Sequence, residues 1–154
     1  MGRAWVFGDN IDTDVLAPGK YMSGSLDRLA AHCLEAVNPD FAANVKPGDI
    51  VIAGRSFGVG SSREQAAECL KHLGVKAVVA QSFAGIFYRN AINLGLPVLV
   101  GHATAADGDA VDIDISTAVL TVANDTTQCE PIPDFLLDLI AAGGLVPHLE
   151  RRFL

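Results

Sequence analysis

Apolar positions recur along this chain in two rhythms. Residues 50–53 (Ile50, Val51, Ile52, Ala53), 75–80 and 96–100 are near-continuous apolar runs, the signature of strands buried on both faces. Helical segments are expected between them, from the Ser61-Ser62 pair to Leu73 and Gly74, and from Ser82 to the stop at Gly95 and Pro97. This strand–helix–strand–helix–strand order predicts parallel pairing with right-handed crossovers. Upstream, residues 3–7 read as a short first strand ending at Gly8. Leu26, Leu29, Ala30, Cys33, Leu34 and Val37 recur at spacings of three and four behind Ser25, predicting a helix that Asn38-Pro39-Asp40 ends. His32 and Arg28 fall off that stripe and read as solvated.

Past Gly101 the rhythm changes. Residues 110–115 and 118–122 alternate apolar with polar or acidic positions, as antiparallel strands wet on one face do, so Asp112 and Asp114 are expected in solvent. Pro133 suits the first turn of a helix over residues 134–142, which Gly143-Gly144 stops. The pattern gives an α/β fold: one domain over residues 1–154, with a partly parallel sheet and antiparallel edge strands.

Composition narrows the function. At 154 residues the chain is long enough for one sizeable core, and it has no apolar run of membrane-spanning length. Its start has too short an apolar stretch for a signal peptide, so a cytoplasmic location is expected. The net charge of −7 and the absence of a basic cluster argue against nucleic acid. They also mean that an anionic substrate needs locally placed positive groups. Cys33, Cys69 and Cys129 are odd in number and widely spaced, and His32, His72, His102 and His148 lack ligand spacing. They read as structural thiols and ordinary histidines, with no metal held by this chain.

The chemistry concentrates in Gly54-Arg55-Ser56-Phe57-Gly58-Val59-Gly60-Ser61-Ser62-Arg63-Glu64-Gln65. Ser61 with Glu64, or Ser62 with Gln65, would form a capping box, placing the helix start at the serine pair with Glu64 as a capping residue. Gly58 and Gly60 allow tight backbone turns ahead of it, and the free N–H groups of a helix N-terminus favour an anion. Arg63 stands where a dinucleotide fingerprint needs its third glycine, and Gly60 lacks the Lys-Ser/Thr pair of a P-loop. An arginine after two serines suits a planar, bidentate partner such as a carboxylate. Asp9, Asp12 and Asp14 lie in a loop without the later ligands and glycine of an EF-hand.

These motifs resemble the aconitase superfamily, specifically the small subunits of isopropylmalate dehydratase and homoaconitase. The resemblance rests on Gly58-Val59-Gly60-Ser61-Ser62-Arg63-Glu64, on Gly8-Asp9-Asn10-Ile11-Asp12-Thr13-Asp14, and on Gln81-Ser82-Phe83-Ala84-Gly85-Ile86-Phe87-Tyr88-Arg89-Asn90-Ala91. It extends through Asn93-Leu94-Gly95-Leu96-Pro97 and Ala142-Gly143-Gly144-Leu145-Val146. It implies the β/β/α swivelling domain and a hydro-lyase acting on a hydroxy di- or tricarboxylate. A [4Fe-4S] cluster is then expected in a partner large subunit, whose open iron binds the substrate hydroxyl. By the same resemblance Ser61 is the base, Ser62 and Arg63 hold a carboxylate, and Asp14 sits near the reacting centre. Gln65 departs from the family's histidine. Tyr21, Met22 and Ser23 fall in the loop implied to select the substrate side group, Ser23 where several members carry an arginine. That favours a short branched malate, 3-isopropylmalate first, although Lys20 could supply the missing charge. Dimethylmalate, methylmalate-type and homoaconitate hydratases are the nearest alternatives. A free-standing anion-binding domain or a purely structural partner are the rivals from other classes.

Overall fold

The computed structural model describes Gly2–Phe153, with side chains through Arg152. Its centre is a seven-stranded mixed sheet of order β4-β3-β2-β1-β5-β6-β7. The parallel half comprises β1 (Gly2–Val6), β2 (Ile50–Ala53), β3 (Ala77–Ala80) and β4 (Val98–Val100). The antiparallel half comprises β5 (Ala110–Asp114), β6 (Val119–Val122) and β7 (Asp125–Gln128), and it joins through Gly2↔Val111.

The apolar runs are continuous because the sheet has a core on each face. Val51 and Ala53 of β2 and Val78 and Ala80 of β3 point into one core with Trp5, Phe41, Phe57, Leu70 and Phe87. Ile50, Ile52, Ala77 and Val79 point into the other, with Leu99, Val111, Ile113, Leu120 and Ile132. Period-two alternation thus serves two apolar faces, and no polar position interrupts it. Asp49 is the one acidic side chain buried among the described residues. Its carboxylate accepts from Arg3 N–H, Trp5 Nε1 and Lys46 N–H, each at 2.9 Å, fixing β1 to the turn before β2.

Helices cover the parallel half. They are α1 (Thr13–Leu16), α2 (Leu26–Ala30), α3 (Phe41–Asn44), α4 (Glu64–His72) and α5 (Gly85–Asn93), with α6 (Asp134–Ala142) and α7 (Leu145–Phe153) closing the chain. None of the described helices is long and apolar enough to cross a membrane.

Several expected elements shift. The helix expected through Val37 is α-helical only over α2. His32 and Cys33 then bond three residues back, and the Leu34 N–H goes to the Val15 carbonyl at 3.0 Å with φ +62°. Burial of Leu34 against α1 outweighs continuation of the helix, and Val37, the stripe's last member, is left 51% exposed. The helix expected from Ser61 begins at Glu64, and the one expected from Ser82 begins at Gly85. In both cases the serines are engaged in loop contacts described below. Other elements have no counterpart in the sequence pattern: the short helices α1, in the stretch expected to be an acidic loop, and α3, then β7, whose Asp125-Thr126-Thr127-Gln128 lacks an apolar face, and α7.

Candidate functional site

The parallel strands β1, β2 and β3 deliver three loops to the same end of the sheet, and the loops are hydrogen-bonded together there. Gly54 N–H donates to the Gly8 carbonyl, and Asn10 N–H to that of Arg55. Gly58 N–H donates to the carbonyl of Ile11 at 2.7 Å, and Thr13 N–H to that of Val59 at 2.8 Å. On the other side Phe57 exchanges backbone bonds with Ser82 and Ala84. Asp9 Oδ1 accepts Arg55 N–H at 2.7 Å, and Ser82 Oγ accepts Ser56 N–H at 2.8 Å. The glycine loop is therefore an extra extended segment wedged between its neighbours, with both edges satisfied.

Its glycines are dictated by that wedge. Gly58 has φ +83°, and a Cβ there would lie 2.2 Å from Phe87 Cγ. Gly60 has φ +107°, and a Cβ would lie 3.1 Å from Thr13 Oγ1. After Gly60 the chain emerges into solvent, and Gly60, Ser61 and Ser62 are all exposed. The capping box is not formed. Arg63 is the residue preceding α4, in extended conformation and without a side-chain cap, so Glu64 occupies the first helical turn and caps nothing. The Ser61 hydroxyl instead faces the buried Thr13 hydroxyl at 3.4 Å, and the Ser61 carbonyl accepts Arg63 N–H at 2.8 Å. The serine pair stands ahead of the helix rather than on its amides, which leaves Arg63 as the main local positive group.

Arg63 Nη1 donates to Asp14 Oδ1 at 2.7 Å and to the Ala17 carbonyl at 3.0 Å. Its Nη2 and Nε make no hydrogen bond among the described residues and remain a free edge. The Arg63 hydrogen bond, followed by that from Gly19 N–H, holds the Asp14 carboxyl below the usual aspartate range. Asp12 caps α1 by accepting Val15 N–H at 2.8 Å, which fixes where Asp14 projects.

Downstream, residues 19–21 form a 3₁₀ turn that carries Tyr21 and Met22, both half-buried against the core, and then the exposed Ser23. Tyr21 stacks on His32, with centroids 3.6 Å apart and an interplanar angle of 6°, while Glu35 holds His32 Nδ1 at 2.7 Å. The helical spacing alone places His32 in solvent. It instead clamps the loop, because the turns that replace the end of α2 aim it back at Tyr21. Lys20 Nζ and Arg28 Cζ lie 5.2 and 5.7 Å from the Tyr21 ring centre.

Ser61, Arg63 and Asp14 are thus gathered by direct contacts or through Thr13, and the 18–25 loop is tied to them at Ala17 and Gly19. Ser62 is exposed beside them, and its hydroxyl makes no hydrogen bond among the described residues. Thr13 was missed as a site residue. Its place inside the Asp-Thr-Asp run was the available signal, but only the docking of Val59 onto Thr13 brings the two hydroxyls together.

Cys33 and Cys69 lie in one core and Cys129 in the other. Burial raises all three thiols, that of Cys69 to about 12. Among the described residues no three His, Cys, Asp or Glu side chains converge as metal ligands. Three buried thiols divided between two cores do not supply the four clustered ligands of an iron–sulfur cluster. A hollow of about 600 Å³ lies over β5 and β6, walled by Asp112 and Asp114, and has the wrong sign for an anion. The serine loop is by contrast an open surface.

The exposed serine pair and the Arg63 guanidinium, held by Asp14 and Ala17, thus share one open surface formed by the loops after β1 and β2. Comparison with known proteins gives the affiliation. Residues 27–102 match the aconitase C-terminal domain. The chain is 51% identical to the methanogen homoaconitase small subunit of Methanothermobacter thermautotrophicus, over 96% of this chain and 88% of that one. It is 46% identical to 3-isopropylmalate dehydratase small subunit 2 of Archaeoglobus fulgidus, over 99% and 95%. A crystal structure of 3-isopropylmalate dehydratase from Methanocaldococcus jannaschii superposes with a TM-score of 0.93 at 44% identity, covering 98% of this chain and 93% of that one. The chain belongs to the aconitase C-terminal domain family, among the small subunits of 3-isopropylmalate dehydratase and homoaconitase.

Proposed function

We propose that this chain is the small subunit of a cytoplasmic hydro-lyase that dehydrates and rehydrates a branched malate, with 3-isopropylmalate the first choice and leucine biosynthesis the corresponding pathway. The observation that carries the proposal is the open loop from Gly58 to Arg63, which offers two hydroxyls and a free guanidinium edge but no enclosing wall. A large subunit would close the site and bring the [4Fe-4S] cluster that serves as Lewis acid for the departing hydroxyl. This chain's own residues bind, orient and accept a proton. Arg63 forks onto a substrate carboxylate through Nη2 and Nε, and the Ser62 hydroxyl adds a hydrogen bond. Ser61 takes the proton beside that carboxylate. A serine hydroxyl is a weak base, so its alkoxide needs positive charge and exclusion of water. The Thr13 hydroxyl at 3.4 Å is the nearest stabilising group in this chain, and Arg63, two residues on, supplies the local positive charge.

Lys20 and Arg28 beside the Tyr21 ring favour a second reading, a homoaconitase-type substrate with a further carboxylate. Reconstitution with a large subunit of the same family decides between them. Catalytic efficiency is compared on isopropylmalate, dimethylmalate, citrate and homocitrate. Preference for an alkyl malate supports the first reading and preference for a tricarboxylate the second. No turnover on any hydroxy acid would overturn both.

A further inference from the structure

The loop that faces the substrate's side group and the arginine that faces its carboxylate share one oxygen atom. Asp14 Oδ1 accepts from Arg63 Nη1 at 2.7 Å and from Gly19 N–H at 3.0 Å. Arg63 Nη1 also reaches the Ala17 carbonyl at 3.0 Å, so the 17–19 backbone is held from two directions. A Cβ on Gly19 would sit 3.2 Å from that same Asp14 oxygen and 3.7 Å from Arg63 Nη2, and the absence of a side chain keeps the approach unobstructed. From Gly19 the chain runs directly into Tyr21 and Met22, and Tyr21 is anchored at its far side by His32.

An aspartate whose oxygen already accepts two strong donors is poorly placed to take a proton from substrate. It is well placed to hold those donors. Resting on the functional reading above, we infer that Asp14 is a positioning residue that presets the Arg63 guanidinium and pins the 17–22 loop to it, coupling the side-group subsite to the carboxylate subsite. The pair is too exposed to matter much for stability, with Asp14 68% and Arg63 27% accessible. Its contribution is orientation. Immobilising a long side chain beforehand improves affinity a few-fold to roughly tenfold for each group held.

The coupling is read by a double-mutant cycle in the reconstituted enzyme, with Asp14→Asn, Arg63→Gln and the double variant. Asp14→Asn should raise KM about tenfold while kcat changes less than about threefold, and in the Arg63→Gln background it should add less than about twofold. A kcat loss of about 100-fold at unchanged KM would make Asp14 a proton-transfer group and overturn the inference. So would full additivity of the two substitutions. The isolated full chain provides a test that does not depend on turnover. In Asp14→Ala, hydrogen exchange at Gly19 N–H should accelerate and the Arg63 Nε–H resonance should broaden. If both stay as in the parent chain, the coupling is absent whatever the enzyme's substrate proves to be.

Discussion

Gly58→Ala is the substitution for which the fold makes the sharpest demand. The residue sits at φ +83°, where an L side chain costs about 1–2 kcal/mol. The new methyl would also meet Phe87 Cγ at 2.2 Å and Phe87 Cβ at 2.3 Å. Because one of the blocking atoms is Phe87 Cβ itself, a rotamer change cannot clear the space, and α5 or the glycine loop must move. Overpacking of this kind costs about 1–3 kcal/mol. The sum is about 2–5 kcal/mol, or roughly 4–20 °C in Tm for a chain of this size. Urea unfolding of the isolated chain measures it, with Gly8→Ala as the control, since a Cβ at Gly8 meets nothing within 4 Å and its φ is not positive. The control should stay within about 1 kcal/mol of the parent, on either side. Shortening Phe87 to alanine should not rescue Gly58→Ala, because the Cβ clash persists. A loss below about 1 kcal/mol, or rescue by Phe87→Ala, would refute the wedge between Ile11 and Phe87 as the reason for the glycine.

Asp49→Ala should be the most damaging change of a single polar side chain: it strands the Arg3 and Lys46 amides and the Trp5 indole, each worth about 1–3 kcal/mol if left unpaired, and calorimetry should show a large fall in Tm. Cys33, Cys69 and Cys129 should react with a thiol reagent at pH 8 only as fast as the chain opens, so labelling rates should rise with urea in step with unfolding, whereas immediate labelling of any of them would contradict its burial. The Asp14 carboxyl should titrate below the ordinary aspartate value and return toward it in Arg63→Gln, as carboxyl carbon NMR can follow. Its folded pKa is depressed, so the pairing contributes fully above the unfolded value and is lost as pH falls through the folded one.

The sheet was legible because burial on both faces writes itself as uninterrupted aliphatic runs, and β2, β3 and β4 carry such runs. The hairpin of β5 and β6 showed through alternation, and Gly143, at φ +91°, ended α6 where expected. The helix starts were not legible. Ser61 and Ser82 have the chemistry of N-caps, but tertiary contacts with Thr13 and Ser56 took their hydroxyls, and local spacing cannot reveal partners 48 and 26 residues away. The same limit hid His32, whose partner Tyr21 lies on a separate turn, and the sharing of Asp14 between Arg63 and Gly19. Residue types pointed to an anion as the ligand to propose. Which atoms would be free to bind the anion depended on the crossing of loops from β1 and β2.

Turnover by the complex of this chain with its large subunit, measured for Ser61→Ala beside Ser62→Ala, tests the account at its centre. Ser61 is exposed, so its loss should leave the fold and subunit association as in the parent, checked by melting and gel filtration. The account predicts that Ser61→Ala lowers kcat by about 10²–10⁴ or more, with Ser62→Ala acting mainly on KM. A Ser61→Ala complex that kept more than half of the parent rate would contradict the assignment of the base and leave this loop a binding surface only.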